Sequence, residues 1–261
     1  MAISPAYARP RTVDSGFTCG ACRRTFPMAQ AAGSLYVCPA CGHHSRISAH
    51  ERVRQLADKG TFQEWDPDLV GRDRLGFVDT KAYVDRLAEA RQRQQLPDAI
   101  LTGAASICGH PVGLASFDFG FLGGSLSTAV GERLARAIER SAAELRPFVC
   151  VTSSGGARMQ EGVFSLMQMA KSVAALHELV EAHVPFISIL AEPKAMIGFT
   201  GARVITQATY EQLPAGFQTS EFHHARGLID QVVDRRQLRE VLGRLLAVLG
   251  PSAAEDARRP A

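Results

Sequence analysis

Four of the six cysteines fall between residues 19 and 41, at a spacing that can do metal chemistry. Cys19-Gly-Ala-Cys22 and Cys38-Pro-Ala-Cys41 are two C-x2-C pairs, separated by 15 residues between Cys22 and Cys38. Two residues between thiols let both sulfurs of a tight turn face one point. Two such turns together make the tetrahedral thiolate set that Zn²⁺ prefers, with no open position for catalysis. Disulfides are the alternative, disfavoured in a chain read as cytoplasmic; a redox C-x-x-C leaves the second pair unexplained. Gly20 and Gly42 suit the turns, and Phe26 and Leu35-Tyr36-Val37 fit the short strands of a zinc ribbon. His43 and His44 read as polar or phosphate-facing residues beside a complete ligand set. Cys108 and Cys150, each in apolar surroundings, read as buried structural thiols.

Two Gly-Gly turns form the second candidate site: Gly123-Gly124, and Gly155-Gly156 within Ser153-Ser154-Gly155-Gly156-Ala157-Arg158. A strand–Gly-Gly–helix junction leaves helix N–H groups unpaired and admits a ligand where a Cβ would block it. Such amides can receive a phosphate or the oxyanion of an enolate. A bare tight turn is the plainer reading of either pair. Asp118 and Glu161 are nearby acids that spacing alone does not promote, and His110, His177 and His183 have no evident acid partner. No nucleophile elbow, P-loop, H-E-x-x-H or G-x-G-x-x-G occurs, so chemistry in this body rests on backbone amides.

Periodicity supplies the elements that must hold these groups. Pro111–Phe119, Phe148–Thr152, Val184–Leu190 and Ala195–Phe199 read as strands. A helix capped by Ser125 carries the apolar stripe Leu126, Val130, Leu134 and Ile138. A second helix carries Val163, Leu166, Met167, Ala170, Val173, Ala174 and Val180. Helices are also expected over His50–Lys59 and Tyr83–Gln95, in a connector that packs over the main body and holds Trp65. Alternating strands and helices predict a layered α/β domain.

The expected organisation is a disordered 1–14, a zinc ribbon at 15–48, a connector at 49–98, the α/β domain at 99–246 and a disordered tail at 247–261. Charge follows the same division. Residues 1–60 hold eight Lys/Arg and three acids, a balance of +5, against −2 for the rest of a chain whose net charge is +3. At 46% hydrophobic the chain can bury a core, which excludes wholesale disorder. The apolar run Val184–Leu190 falls far short of the ~20 residues of a membrane span, and a cytoplasmic location is expected.

At Ser154-Gly155-Gly156-Ala157-Arg158-Met159-Gln160-Glu161 and Leu166-Met167-Gln168-Met169-Ala170-Lys171 the chain resembles the β subunits of bacterial acetyl-CoA carboxylase carboxyltransferase. The resemblance takes in the ribbon with His43-His44, Asp79–Leu87 and Phe117–Gly124. It continues through Ala191-Glu192-Pro193-Lys194-Ala195, Gly198–Ile205, Leu213–Phe222 and Gly227–Asp230, roughly residues 15–245 in all. It implies a crotonase (ClpP)-like domain behind a structural zinc ribbon. It also implies transfer of a carboxyl group from carboxybiotin, held on a carrier protein, to acetyl-CoA, giving malonyl-CoA for fatty acid synthesis. The implied partners are a carboxyltransferase α subunit (α2β2), the biotin carboxyl carrier protein and biotin carboxylase. Gly155 and Gly156 would then present amides to the acyl-CoA pocket, and Arg158 would meet CoA phosphates or the partner.

One departure stands out. In the family the strand matching Val184–Leu190 leads into a loop with another Gly-Gly and a helix, which supply oxyanion-hole amides. Here Leu190 runs straight into Ala191-Glu192-Pro193. Only four residues then join two expected strands, where a parallel crossover takes a dozen or more. A catalytically impaired assembly or regulatory subunit is therefore an alternative. A zinc-ribbon nucleic-acid binder, suggested by the basic head, is another.

Overall fold

In the computed structural model, the described residues are 16–250 except 191, 199 and 211. The expectations for 1–14 and 251–261 lie outside them. The chain divides into two compact units: Met1–Ile47 with Leu190–Leu238, and Ser48–Ile189 with Arg239–Ala261.

The first unit opens with a hairpin of β1 (Gly16–Thr18) and β2 (Thr25–Pro27), Phe17 pairing with Phe26. Met28 to Gly33 then forms a short helix, α1, between the two stretches expected as strand. Its Met-Ala-Gln-Ala-Ala run is made of good helix formers. Leu35 and Tyr36 take left-handed φ values of 54° and 60°, so of the expected Leu35–Val37 strand only Val37 pairs, in a single bridge to His44. Phe17, Cys19, Ala31 and Cys38 form a small core with Tyr36 set edge-on to Phe17. After Leu190 the unit continues through irregular chain, α6 (Ala202–Thr209) and α7 (Ser220–His224). No strand forms over the described residues of Ala195–Phe199, where Met196 makes one bridge to Thr219. The crossover problem posed by the sequence therefore does not arise.

The second unit is built on a five-stranded sheet with the spatial order β3 (Gln63–Glu64), β4 (Ile100–Ile107), β5 (His110–Phe117), β6 (Phe148–Val151), β7 (Phe186–Ile189). Before it come α2 (Ala49–Leu56), β3 (Gln63–Glu64) and α3 (Tyr83–Gln94). The connector thus contributes an edge strand to the sheet. Antiparallel β4 (Ile100–Ile107) and β5 (His110–Phe117) are joined by a two-residue turn, Cys108-Gly109, with both φ values positive. That is the backbone that tight hairpins require. Cys108 is consequently exposed on a turn, not buried, and Asp58 accepts both turn amides.

From β5 the chain crosses by α4 (Thr128–Ala143) to parallel β6 (Phe148–Val151), then by α5 (Val163–Glu181) to parallel β7 (Phe186–Ile189). Every residue of β6 is buried, as a Val- and Phe-rich central strand should be. The N-cap of α4 is Ser127, whose hydroxyl accepts from the Val130 amide; Ser125 lies upstream with its hydroxyl on the Leu122 carbonyl. Gly131 of α4 sits against Gln168 of α5, where a Cβ would come within 2.2 Å of that side chain. The last helix, α8 (Arg235–Leu249), runs into the stretch expected as tail. Among the described residues no helix is long and apolar enough to cross a membrane.

α5 leaves outside the core the apolar residues that mark it as a helix. Its buried residues are Ser165, Gln168, Ala175 and Leu179, while Val163, Leu166, Met167, Ala170, Val173, Ala174 and Val180 are not buried. β7, the edge strand, is likewise half open, with Phe186 42% exposed.

Candidate metal centre and glycine platform

The four predicted ligands converge. The sulfurs of Cys19, Cys22, Cys38 and Cys41 all lie within 4.8 Å of one another, and none is in a disulfide. The Cys19–Cys41 and Cys22–Cys38 separations are each 3.7 Å. A tetrahedral ion with metal–sulfur bonds of about 2.3 Å has edges of about 3.8 Å, close to these two separations, so this cluster could hold a metal ion. Burial pushes the Cys19 thiol up to about 12, whereas the Arg24 amide beside Cys22 draws that thiol down to about 7. Ionising all four in so small a volume calls for a cation among them.

The two Gly-Gly turns also meet. They follow the carboxyl ends of neighbouring parallel strands, β5 and β6, the position where open α/β sheets bind ligands. The Gly155 amide donates to the Gly123 carbonyl at 2.8 Å, the Leu126 amide to Gly156 at 2.9 Å, and the Arg158 amide back to Leu126 at 3.0 Å. Gly124 approaches so closely that a Cβ there would sit 2.0 Å from the Ser153 carbonyl oxygen. Glycine is required at Gly156 too, where φ is +104°. Ser154, Gly155 and Gly156 are exposed. Of the two amides singled out from the sequence, Gly155 N–H belongs to the frame. Gly156 N–H is held only by the Ser154 hydroxyl of its own turn, at 3.1 Å.

Beneath the platform lies a buried polar network whose partners are far apart in sequence. Arg158, fully buried, donates to Asp98 at 2.7 Å, to the Ser125 hydroxyl at 2.9 Å and to the Tyr83 hydroxyl at 3.1 Å. Tyr83 donates to Glu161 at 2.7 Å, and the other Glu161 oxygen accepts the Thr128 amide at the start of α4. The second Asp98 oxygen accepts from Ser127, the cap of that helix. Although burial opposes charge, Asp98 and Tyr83 hold the Arg158 guanidinium above its ordinary pKa. Burial likewise raises the Tyr83 phenol, which stays protonated and able to donate.

Arg158 therefore does not reach CoA phosphates; its role is internal. Glu161 and Asp118 are also structural, Asp118 accepting from the Ala49 and Gly120 amides. Burial pushes Cys150 up to about 12, which keeps it an inert thiol as expected. His177 pairs with Glu181 on the surface, and His183 turns the chain after α5. The sequence carried no signal for Asp98 or Tyr83, which stand 60 and 75 residues from the arginine they bind.

Known proteins are similar to this chain over most of its length. A carboxyl transferase domain matches residues 50–212. The acetyl-coenzyme A carboxylase carboxyl transferase subunit beta of Gloeobacter violaceus is 47% identical over 237 aligned positions, covering 83% of this chain and 78% of that one. The protein of the same name from Thermus thermophilus is 46% identical over 256 positions, covering 90% of each chain. A transcarboxylase 12S crystal structure, with methylmalonyl-coenzyme A and methylmalonic acid bound, is similar with a TM-score of 0.65 at 28% identity. That match covers 77% of this chain and 41% of the other. The Thermus alignment also carries a gap. Ninety per cent of 261 residues is about 235, so about twenty of the 256 aligned positions have no counterpart here. A loop and helix after Leu190 would be of that size.

Proposed function

This chain belongs to the carboxyl transferase family, among relatives that are β subunits of acetyl-coenzyme A carboxylase, and on that premise we propose that it binds acetyl-CoA and moves a carboxyl group onto it from carboxybiotin. The product is malonyl-CoA, for fatty acid synthesis in the cytoplasm. The observation that carries this reading is the glycine platform: two interlocked Gly-Gly turns at the ends of β5 and β6, the Gly155-Gly156 turn open to solvent and Arg158 buried beneath it. A thioester methyl carbon becomes a nucleophile when its enolate oxygen is held by amide donors. Biotin, on its carrier, supplies the carboxyl group and, once decarboxylated, a nitrogen base for the methyl proton.

The chain's own residues then divide the work. Gly156 lets the thioester approach without a Cβ, and its N–H reaches the oxyanion once the Ser154 hydroxyl rotates away. Gly155 fixes the turn against Gly123. In the four-cysteine site the ion is Zn²⁺, structural because four thiolates leave no vacant position. The exposed apolar side of α5 is the surface for the carboxyltransferase α subunit, in an α2β2 assembly served by biotin carboxylase and the biotin carboxyl carrier protein.

Gly156→Ala tests the platform. With the α subunit present, kcat for malonyl-CoA formation should fall at least tenfold while the chain still binds its partner; an unchanged kcat sinks the assignment of Gly156. The gap of about twenty positions favours a second reading, in which the chain keeps the ribbon and the subunit interface but lacks part of the oxyanion hole. Metal-loaded, α-bound protein that makes no malonyl-CoA would establish it.

A further inference from the structure

The first unit contains a charged cluster that the carboxyl transfer reading leaves unused. Arg235, at the start of α8, has its side chain 1% exposed. Its guanidinium donates to the Leu35 carbonyl at 2.8 Å and to the Ser45 carbonyl at 2.7 Å. Its Nε donates to one Glu192 oxygen at 2.6 Å, and the other Glu192 oxygen accepts from Nη2. The His44 ring fills the same space, with Nε2 3.3 Å from Asp234 and Nδ1 3.6 Å from Glu192.

The two carbonyls have a particular place in the chain. Leu35 and Ser45 are the two ends of the loop that carries Cys38 and Cys41. The Ser45 amide donates to Tyr36 at 3.1 Å, the Val37–His44 bridge follows, and the Cys38 amide donates to His43 at 2.9 Å. Arg235 therefore clasps the neck of the second metal knuckle. Glu192, its counter-ion, is anchored in the later segment: the Glu192 carbonyl accepts the Ser220 hydroxyl at 3.0 Å, and the Ser220 amide donates to Ala195. The Ile197 amide donates to Gln218.

We propose that Arg235 and Glu192 form a clamp coupling metal occupancy of the four-cysteine site to the folding of residues 192–235. The proposal rests on the reading of that site as a Zn²⁺ centre. With the cation bound, the knuckle is closed and presents Leu35 and Ser45 to the guanidinium. With the cation gone, four crowded thiols have no common partner, the neck loosens, and a buried guanidinium loses two of its acceptors. A buried ion pair stripped of its remaining hydrogen bonds is costly, so the 192–235 segment loosens as well. Coupling of this kind is reciprocal: what metal does for the segment, the segment does for metal affinity.

Both directions are measurable on the full chain. Zn²⁺ affinity is read by competition with a chromophoric chelator for wild type, Arg235→Met and the milder Glu192→Gln. Leu246→Ala, in the buried face of α8 within the other unit, serves as a destabilising control. Loss of a partner supporting a metal knuckle costs roughly tenfold or more in affinity, which is expected for Arg235→Met and not for Leu246→Ala. Hydrogen exchange of wild type, with and without Zn²⁺, needs no variant. Amides at Ile197, Ser220 and their neighbours should exchange faster without metal, and those of β4–β6 should not change. Unaltered Zn²⁺ affinity in both clamp variants, or exchange over 192–235 that ignores the metal, overturns the coupling. A wild-type chain that takes up no Zn²⁺ overturns the metal reading, and the coupling with it.

Discussion

Arg158 follows the Gly155-Gly156 turn closely, and from sequence an arginine there looks like a hand for phosphate. Its surroundings make it a strut. It satisfies Asp98, Ser125 and Tyr83 at once, all within the protein interior. Arg158→Met would leave Asp98 buried with an unpaired charge, and breaking a fully buried pair from one side costs about 3–5 kcal/mol. Urea denaturation should register a loss of that order; a loss below about 1 kcal/mol would show the network to be dispensable. Tyr83→Phe, which removes one buried donor from Glu161, should cost about 1–3 kcal/mol in the same assay. The thiols were legible from spacing because all four ligands lie within one short stretch. The network was not, because its partners are separated by most of the second unit's sheet and helices.

At the scale of elements, the sequence is legible where one periodicity dominates. α3, α4, α5, β5, β6 and β7 fall close to their expected spans. It is less legible where a local rule has two solutions. Ser125 and Ser127 both precede α4, and only the second has its hydroxyl on a helix amide. Cys108 has the apolar neighbour Ile107 of a buried residue, yet a two-residue hairpin must put its turn residues outside. The ribbon and the five-stranded sheet belong to different compact units, and this sets an expectation for metal removal. A chelator should abolish protection of β1, β2 and the 35–45 loop in hydrogen exchange while β4–β6 stay protected. Collapse of both together would contradict a separately organised metal unit.

At the scale of the molecule, α5, the turn before it and β7 present exposed apolar side chains. Met159, Val163, Leu166, Met167 and Val173 are each more than half exposed. The helical pattern of α5 was legible, but its direction was not, because the same stripe serves a core or an interface. A shortfall of about twenty positions is expected from the sequence to fall after Leu190, where the chain leaves β7. Inserting the relative's segment between Leu190 and Ala191 should raise the thermal midpoint and reduce binding of a hydrophobic dye. A Gly/Ser insert of equal length should do neither.

The most direct measurement is malonyl-CoA formation by the wild-type chain, loaded with Zn²⁺ and mixed with the proposed carboxyltransferase α subunit, acetyl-CoA and carboxybiotin. Product that depends on all four components, and that falls with Gly156→Ala, is expected. A complex that is metal-loaded and stably assembled, yet makes no malonyl-CoA above the rate of the α subunit alone, would contradict carboxyl transfer on this chain's glycine platform.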